Sequence, residues 1–210
     1  LLTPLSTIHS DIDIALRRER SPSFYREKLE SMLLDVEEMT ETVHGLLQIA
    51  RVERPHELPT GPVDLGELVN SHAERFRHAA ADKSLSFEID VHPGTIVEFD
   101  DTRLGQIVDN LIENAVKYTP AGGTISVRVG RRDGKAVLSV TDTGIGFSEE
   151  QRSNLFDRFY RADVPEVQNT TGSGLGLAIV EAIARVYGAS VSGTSGGPGK
   201  GSRFAVEFNS

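Results

Sequence analysis

Leu1, Leu5, Ile8, Ile12 and Ala15 are spaced four, three, four and three residues apart, with mostly polar residues between them. The same spacing resumes after Ser21-Pro22-Ser23, at Tyr25, Leu29, Met32, Val36, Met39, Val43, Leu46 and Ala50. Such stripes predict two helices with heptad character. Ser21-Pro22 suits a stop and restart, with Ser21 or Ser23 as the cap of the second helix. Two antiparallel helices cannot bury both stripes by themselves. Pairing with a second copy of the chain makes a four-helix bundle; packing of the hairpin onto the rest of the chain is the alternative.

The period disappears between Glu53 and Pro62, where Pro55, Pro59, Gly61 and Pro62 cluster. This predicts a linker at residues 55–62 between a hairpin at 1–54 and a second unit at 63–210. The second unit mixes both periods. A helix is expected from about Leu65 to Asp82, then strand-like runs at Leu85–Val91 and Thr95–Phe99 joined at His92-Pro93-Gly94. Asp101-Thr102 is expected to cap a helix whose apolar face is Leu104, Ile107, Val108, Leu111, Ile112 and Ala115. Thr124–Val129 and Ala136–Thr141 flank Arg131-Arg132-Asp133-Gly134, a hairpin turn signal. Ser148-Glu149-Glu150 opens a short helix and Leu177–Ala184 forms an apolar one. Ser190–Ser192 and Arg203–Phe208 close a sheet. Ala162–Thr171 is polar and aperiodic, which predicts a mobile lid. The fold class is α+β.

Composition narrows the partners. The net charge of −9 over 210 residues argues against a nucleic-acid surface and against adhesion to anionic lipid. There is no cysteine, so disulfides and thiolate metal sites are excluded. No apolar run approaches a membrane span, and no signal peptide is visible.

Two glycine-rich runs carry the chemistry: Asp142-Thr143-Gly144-Ile145-Gly146 and Gly172-Ser173-Gly174-Leu175-Gly176-Leu177. Glycines let a backbone approach a ligand and present its N–H groups to anions. The second run leads into the apolar helix, and a helix N-terminus behind glycines is a ready phosphate site. The first places one carboxylate, Asp142, at the end of an alternating strand. Upstream, Asn110, Asn114 and Lys117 recur at four- and three-residue spacing, so a helix puts them on one face. Two amides and an ammonium suit a hydrated Mg²⁺ and the phosphates it bridges; the same stripe would also serve as a plain solvated face. His9, His44, His56, His72, His78 and His92 share no ligand spacing and read as surface or flank residues.

In this order the motifs resemble those of sensor histidine kinases. Asn110–Thr119 resembles their N box, Asp142–Gly146 the first glycine box and Leu155-Phe156-Asp157-Arg158-Phe159-Tyr160-Arg161 the F box. Gly172–Leu177 resembles the second glycine box and Gly199–Phe204 the last. The resemblance implies an antiparallel helical hairpin, half of a dimeric four-helix bundle. A GHKL-type α/β sandwich with a mixed sheet would follow, the ATP-binding fold shared with type II topoisomerases, mismatch-repair ATPases and heat-shock chaperone ATPases.

The family's cofactors are ATP and Mg²⁺. By resemblance Asn114 is the main Mg²⁺ ligand, supported by Asn110, and Lys117 touches phosphate. Tyr118 lies against base or ribose, and Asp142 accepts from the adenine amine. Gly144 and Gly146 shape that turn, and Ser202 reaches adenine through water. Gly172, Gly174, Leu175 and Gly176 fold the lid onto the phosphates, and Arg161 reaches the γ-phosphate.

Leu1-Leu2-Thr3-Pro4-Leu5 resembles the end of the H box, which makes Thr3 a candidate for dephosphorylating the regulator. By that alignment the phospho-accepting histidine falls two residues before Leu1. Residues 1–210 are therefore expected not to phosphorylate themselves. The implied reaction passes the γ-phosphoryl of ATP to a histidine and then to an aspartate of a response regulator receiver domain, in the cytoplasmic part of a membrane-bound sensor. The rival reading is a nucleotide-binding dimer scaffold without phosphotransfer.

Overall fold

The computed structural model describes residues 2–52, 60–168, 170 and 172–209, the side chains of Leu2 and Thr3 excepted. The hairpin is α1 (Leu2–Leu16) and α2 (Pro22–Val52). Ser21 Oγ accepts from the Phe24 N–H at 3.3 Å, so Ser21 is the cap between them. Lys28 in α2 pairs with Asp11 in α1 at 2.8 Å. Of the heptad stripes, Leu5, Ile12, Leu29, Val36 and Val43 remain 42–65% exposed.

Most of the expected linker, residues 55–59, lies outside the described residues. Its last two, Gly61 and Pro62, already belong to strand β1 (Gly61–Asp64). The helix expected at 65–82 is two helices, α3 (Leu65–Glu74) and α4 (Arg77–Asp82). The break falls where the Arg75 N–H turns back to the Ala73 and His72 carbonyls, which tightens the last turn and ends the helix.

Strands β2 (Ser86–Asp90) and β3 (Ile96–Phe99) flank the turn at His92–Gly94 but do not pair with each other. β3 pairs antiparallel with β1. β2 runs parallel to β4 (Thr124–Arg132). Between them lies α5 (Asp101–Tyr118), whose cap is Asp100, one residue earlier than expected. The Asp100 carboxylate accepts from the Arg103 N–H at 2.8 Å. β4 returns as β5 (Lys135–Asp142) through Asp133 and Gly134, both at positive φ, +51° and +83°. That is the two-residue hairpin the sequence signals.

Ser148 and Gln151 form a capping box on α6 (Glu149–Arg152). A turn, α7 (Pro165–Gln168), interrupts the lid segment. Then come α8 (Gly176–Val186), β6 (Ser190–Ser195) and β7 (Ser202–Phe208). The five-stranded sheet has the order β2-β4-β5-β7-β6 and is mixed, since only β2 and β4 are parallel. α3, α5 and α8 pack on it as one layer.

Alternation fixes the core. Ala136, Leu138 and Val140 of β5 stand opposite Phe208, Val206 and Phe204 of β7, and all six are buried. Asp142 is next in that phase. A carboxylate therefore points inward at the end of an otherwise apolar face.

Candidate nucleotide-binding site

α5 buries Leu104, Ile107, Val108, Leu111, Ile112 and Ala115, and this aims the opposite stripe outward. Asn110, Asn114, Lys117 and Tyr118 line a cleft of about 420 Å³. Gly172, Ser173, Gly174, Leu175 and Gly176 form the facing wall. The sequence-predicted stripe and second glycine run are thus brought together. Asn110 Nδ2 donates to the Gln106 carbonyl at 2.7 Å. Its Oδ1 lies 3.1 Å from where a β-carbon on Gly176 would stand, so the amide oxygen abuts the start of α8. No side chain caps α8. Its first N–H groups are left for an anion.

Lys117 is half-buried, and that burial lowers its ammonium pKa, opposed by the carboxylates of Glu113, Glu41 and Glu38. It forms no ion pair among the described residues. A β-carbon on Gly172 would lie 2.0 Å from Lys117 Nζ, so the segment crosses directly over the ammonium, and it does so at φ +147°, which favours glycine. Gly174 adopts φ +69° and packs against the Tyr160 carbonyl, while the Phe159 N–H donates to its carbonyl at 3.1 Å. The F box and second glycine box are thereby tied together.

Asp142, Gly144, Gly146 and Ser202 form a second cluster that does not line the 420 Å³ cleft. Asp142 Oδ1 accepts from the Gly144 N–H at 2.7 Å and the Ser202 N–H at 3.3 Å, and Oδ2 accepts from the Ser202 hydroxyl at 2.5 Å. Burial pushes its carboxyl pKa up, and these hydrogen bonds oppose the shift. The clusters meet at Tyr118. Its carbonyl accepts from the Ile145 N–H at 3.2 Å and would stand 2.4 Å from a β-carbon on Gly144.

Arg161 lies elsewhere. Its guanidinium donates to the Gly172, Val167 and Thr170 carbonyls, at 2.7, 2.5 and 2.5 Å, and stands 3.9 Å from Glu38 of α2. It holds the lid closed on itself rather than facing the cleft. The Thr3 side chain is outside the described residues.

Sequence reasoning missed the third wall. Glu41, His44, Gly45 and Gln48 of α2 border the cleft. Their three- and four-residue recurrence, and a glycine inside a long helix, were the available signals. His44 is thus not a bystander, and His72 is a structural residue whose Nδ1 bonds Asp109 at 2.8 Å. A larger hollow of about 700 Å³ beside β1 is rimmed by Asp64, Glu67, Asp100 and Asp101, charges that repel phosphate.

A mixed sheet under three helices, with an amide-bearing helix facing a glycine-led helix start, is the GHKL-type ATP-binding fold. Residues 99–210 match the family described as histidine kinase-, DNA gyrase B- and HSP90-like ATPase, and the chain belongs to it. Among similar proteins is the sensor-like histidine kinase SenX3 of Mycolicibacterium smegmatis, 30% identical over 209 residues, 99% of this chain and 54% of that protein. Another is the sensor protein kinase PmrB of Pseudomonas aeruginosa, 34% identical over 95% of this chain and 41% of that protein. The chain spans about half the length of these relatives. The structure of full-length ShkA in complex with AMPPNP superposes with a TM-score of 0.73 at 28% identity, over 91% of this chain and 40% of that one. Among the described residues no helix is long and apolar enough to cross a membrane.

Proposed function

We propose that this chain is the catalytic core of a sensor histidine kinase. It binds Mg·ATP, passes the γ-phosphoryl to a histidine imidazole and then to an aspartate of a response regulator. The observation that carries the reading is the Asn110/Asn114/Lys117 stripe facing the uncapped start of α8 across the cleft. Residues 1–54 serve as the dimerising hairpin, 55–62 as the linker and 63–210 as the nucleotide-binding unit, in the cytoplasmic part of the sensor.

The donor set fits a hydrated Mg²⁺. Asn110 and Asn114 offer neutral amide oxygens, and the Asn110 amide is held by its Nδ2 so that the oxygen faces α8. An ion held by these amides would supply positive charge to offset that of the phosphates. Lys117 and the α8 N–H groups hold the phosphate oxygens in place, so the chain's contribution is positioning and electrostatics.

Adenine is accepted at the Asp142–Ser202 end, where the carboxylate receives the exocyclic amine. Tyr118 joins the two ends, and Gly144 and Gly146 keep the turn thin. Arg161 turns from the lid carbonyls to the γ-phosphate on nucleotide binding. Thr3 orients water toward the phosphorylated regulator.

The test uses γ-labelled ATP. Residues 1–210 should stay unlabelled. A chain extended upstream through the acceptor histidine should take up acid-labile, base-stable phosphate and pass it to a receiver domain. Asn114→Asp in that chain should abolish labelling, because the added carboxylate faces the phosphates. Labelling of residues 1–210 that vanishes on His9→Ala would refute the placement of the acceptor.

A further inference from the structure

α2 touches the cleft along a face that the exposed heptad stripe does not use. Its buried residues are Thr42, Gly45, Ile49 and Val52. Gly45 is a notch for Leu175. A β-carbon there would stand 2.8 Å from Leu175 Cδ1 and 3.6 Å from Ile179 Cδ1. Glycine inside a helix weakens it, so the notch is a seat for the glycine-rich wall rather than a feature of the helix itself.

One turn before this seat stands Glu41, and two turns before it Glu38. Glu38 Oε1 is 3.9 Å from the Arg161 guanidinium. Glu41 lines the cleft with Lys117, and both carboxylates act on that ammonium. The two cations are otherwise incompletely matched. Lys117 has no ion pair among the described residues, and Arg161 Nε is buried without a hydrogen-bond partner among them. Lys117 and Arg161 are the two side-chain cations that the proposed function gives to the triphosphate. A triphosphate and the two carboxylates cannot both be neutralised by the same pair, and left unneutralised they repel.

We infer that the Gly45 face of α2 is a built-in competitor of nucleotide: while it is seated, Glu38 and Glu41 take the electrostatic place of the phosphates, and nucleotide drives α2 from the cleft. The inference rests on the nucleotide reading above. Linkage makes the effect reciprocal, so unseating α2 tightens nucleotide binding.

Calorimetric titration with Mg·AMPPNP tests it on residues 1–210. E38Q/E41Q should bind about fivefold more tightly than wild type, the scale of removing two partly exposed carboxylates beside two cations. G45L, which removes no charge but overfills the notch, should tighten binding as well. E27Q/E30Q removes the same charge elsewhere on α2 and should leave affinity unchanged. Raising the salt should narrow the gap between wild type and E38Q/E41Q.

Unchanged or weaker binding by E38Q/E41Q, when wild type binds, overturns the competition and leaves the nucleotide site standing. Equal tightening by E27Q/E30Q overturns it too, since net charge alone would then be responsible. Failure of wild type to bind overturns the nucleotide reading and the inference with it.

Discussion

Gly201 packs the start of β7 against the end of β5, and Gly201→Ala should be the most damaging methyl in the Asp142–Ser202 cluster. Two costs add. The residue sits at φ +69°, where an L side chain costs about 1–2 kcal/mol. Its β-carbon would also stand 2.0 Å from the Asp142 carbonyl oxygen and 2.9 Å from Thr143 Cα. Both are backbone atoms and cannot swing aside. The Gly201 N–H donates to the Gly144 carbonyl at 3.0 Å, and its own carbonyl accepts from Ser195 Oγ at 2.7 Å, so the segment is pinned on both sides.

Overpacking of this kind costs about 1–3 kcal/mol, which gives a total of roughly 2–5 kcal/mol. Gly122→Ala is the matched control, because Gly122 has φ +80° but nothing within 4 Å of the β-carbon. It should lose only the strain, about 1–2 kcal/mol. With an m-value near 2 kcal/mol/M, urea midpoints followed by circular dichroism should fall by about 1–2.5 M for Gly201→Ala and by about 0.5–1 M for Gly122→Ala. Nucleotide affinity should fall only in the first. Equal midpoints for the two variants would refute the reasoning, since the close approach would then relax without cost.

Val36→Glu with Met39→Glu should give a monomer by light scattering that still binds nucleotide, because charges in an apolar seam go unpaired; a wild-type chain already monomeric at micromolar concentration would sink the dimer. Asp142→Asn should weaken binding of adenine nucleotide, since an amide N–H₂ would face the adenine amine. Its stability relative to wild type should rise with pH. Burial raises the Asp142 pKa, so wild type holds that group's stabilisation only while it is protonated and loses it as pH climbs through the raised value. Thermal melts across the acidic range would show this, and a gap independent of pH would contradict it.

The five boxes were legible because each rests on residue type and spacing. The Asn110/Asn114/Lys117 stripe could be read from helical period alone, and the two-residue turn at Asp133-Gly134 from its composition. The burial of Asp142 follows from counting by two along β5. Other features depend on partners distant in sequence. β2 looks like one arm of a hairpin with β3, yet it pairs with β4 across α5. The break between α3 and α4 carries neither glycine nor proline. The family resemblance puts Arg161 at the phosphate, and its three lid carbonyls are invisible in a linear sequence. The α2 wall was hidden because its heptad stripe draws attention to the other face.

Gly45 and Val43 are two residues apart, so at 3.6 residues per turn they point roughly 160° away from each other around α2. The helix is a shaft with its seam on one side and its seat on the other, and both turn together. Rotation by about 25° about its axis carries the Gly45 Cα, about 2.3 Å from that axis, sideways by about 1 Å. Leu175 Cδ1 already stands only 2.8 Å from the space a β-carbon would fill there. A torque that repacks the outer stripe therefore also lifts the inner seat, and a glycine no larger than its own backbone sets how little twist is enough.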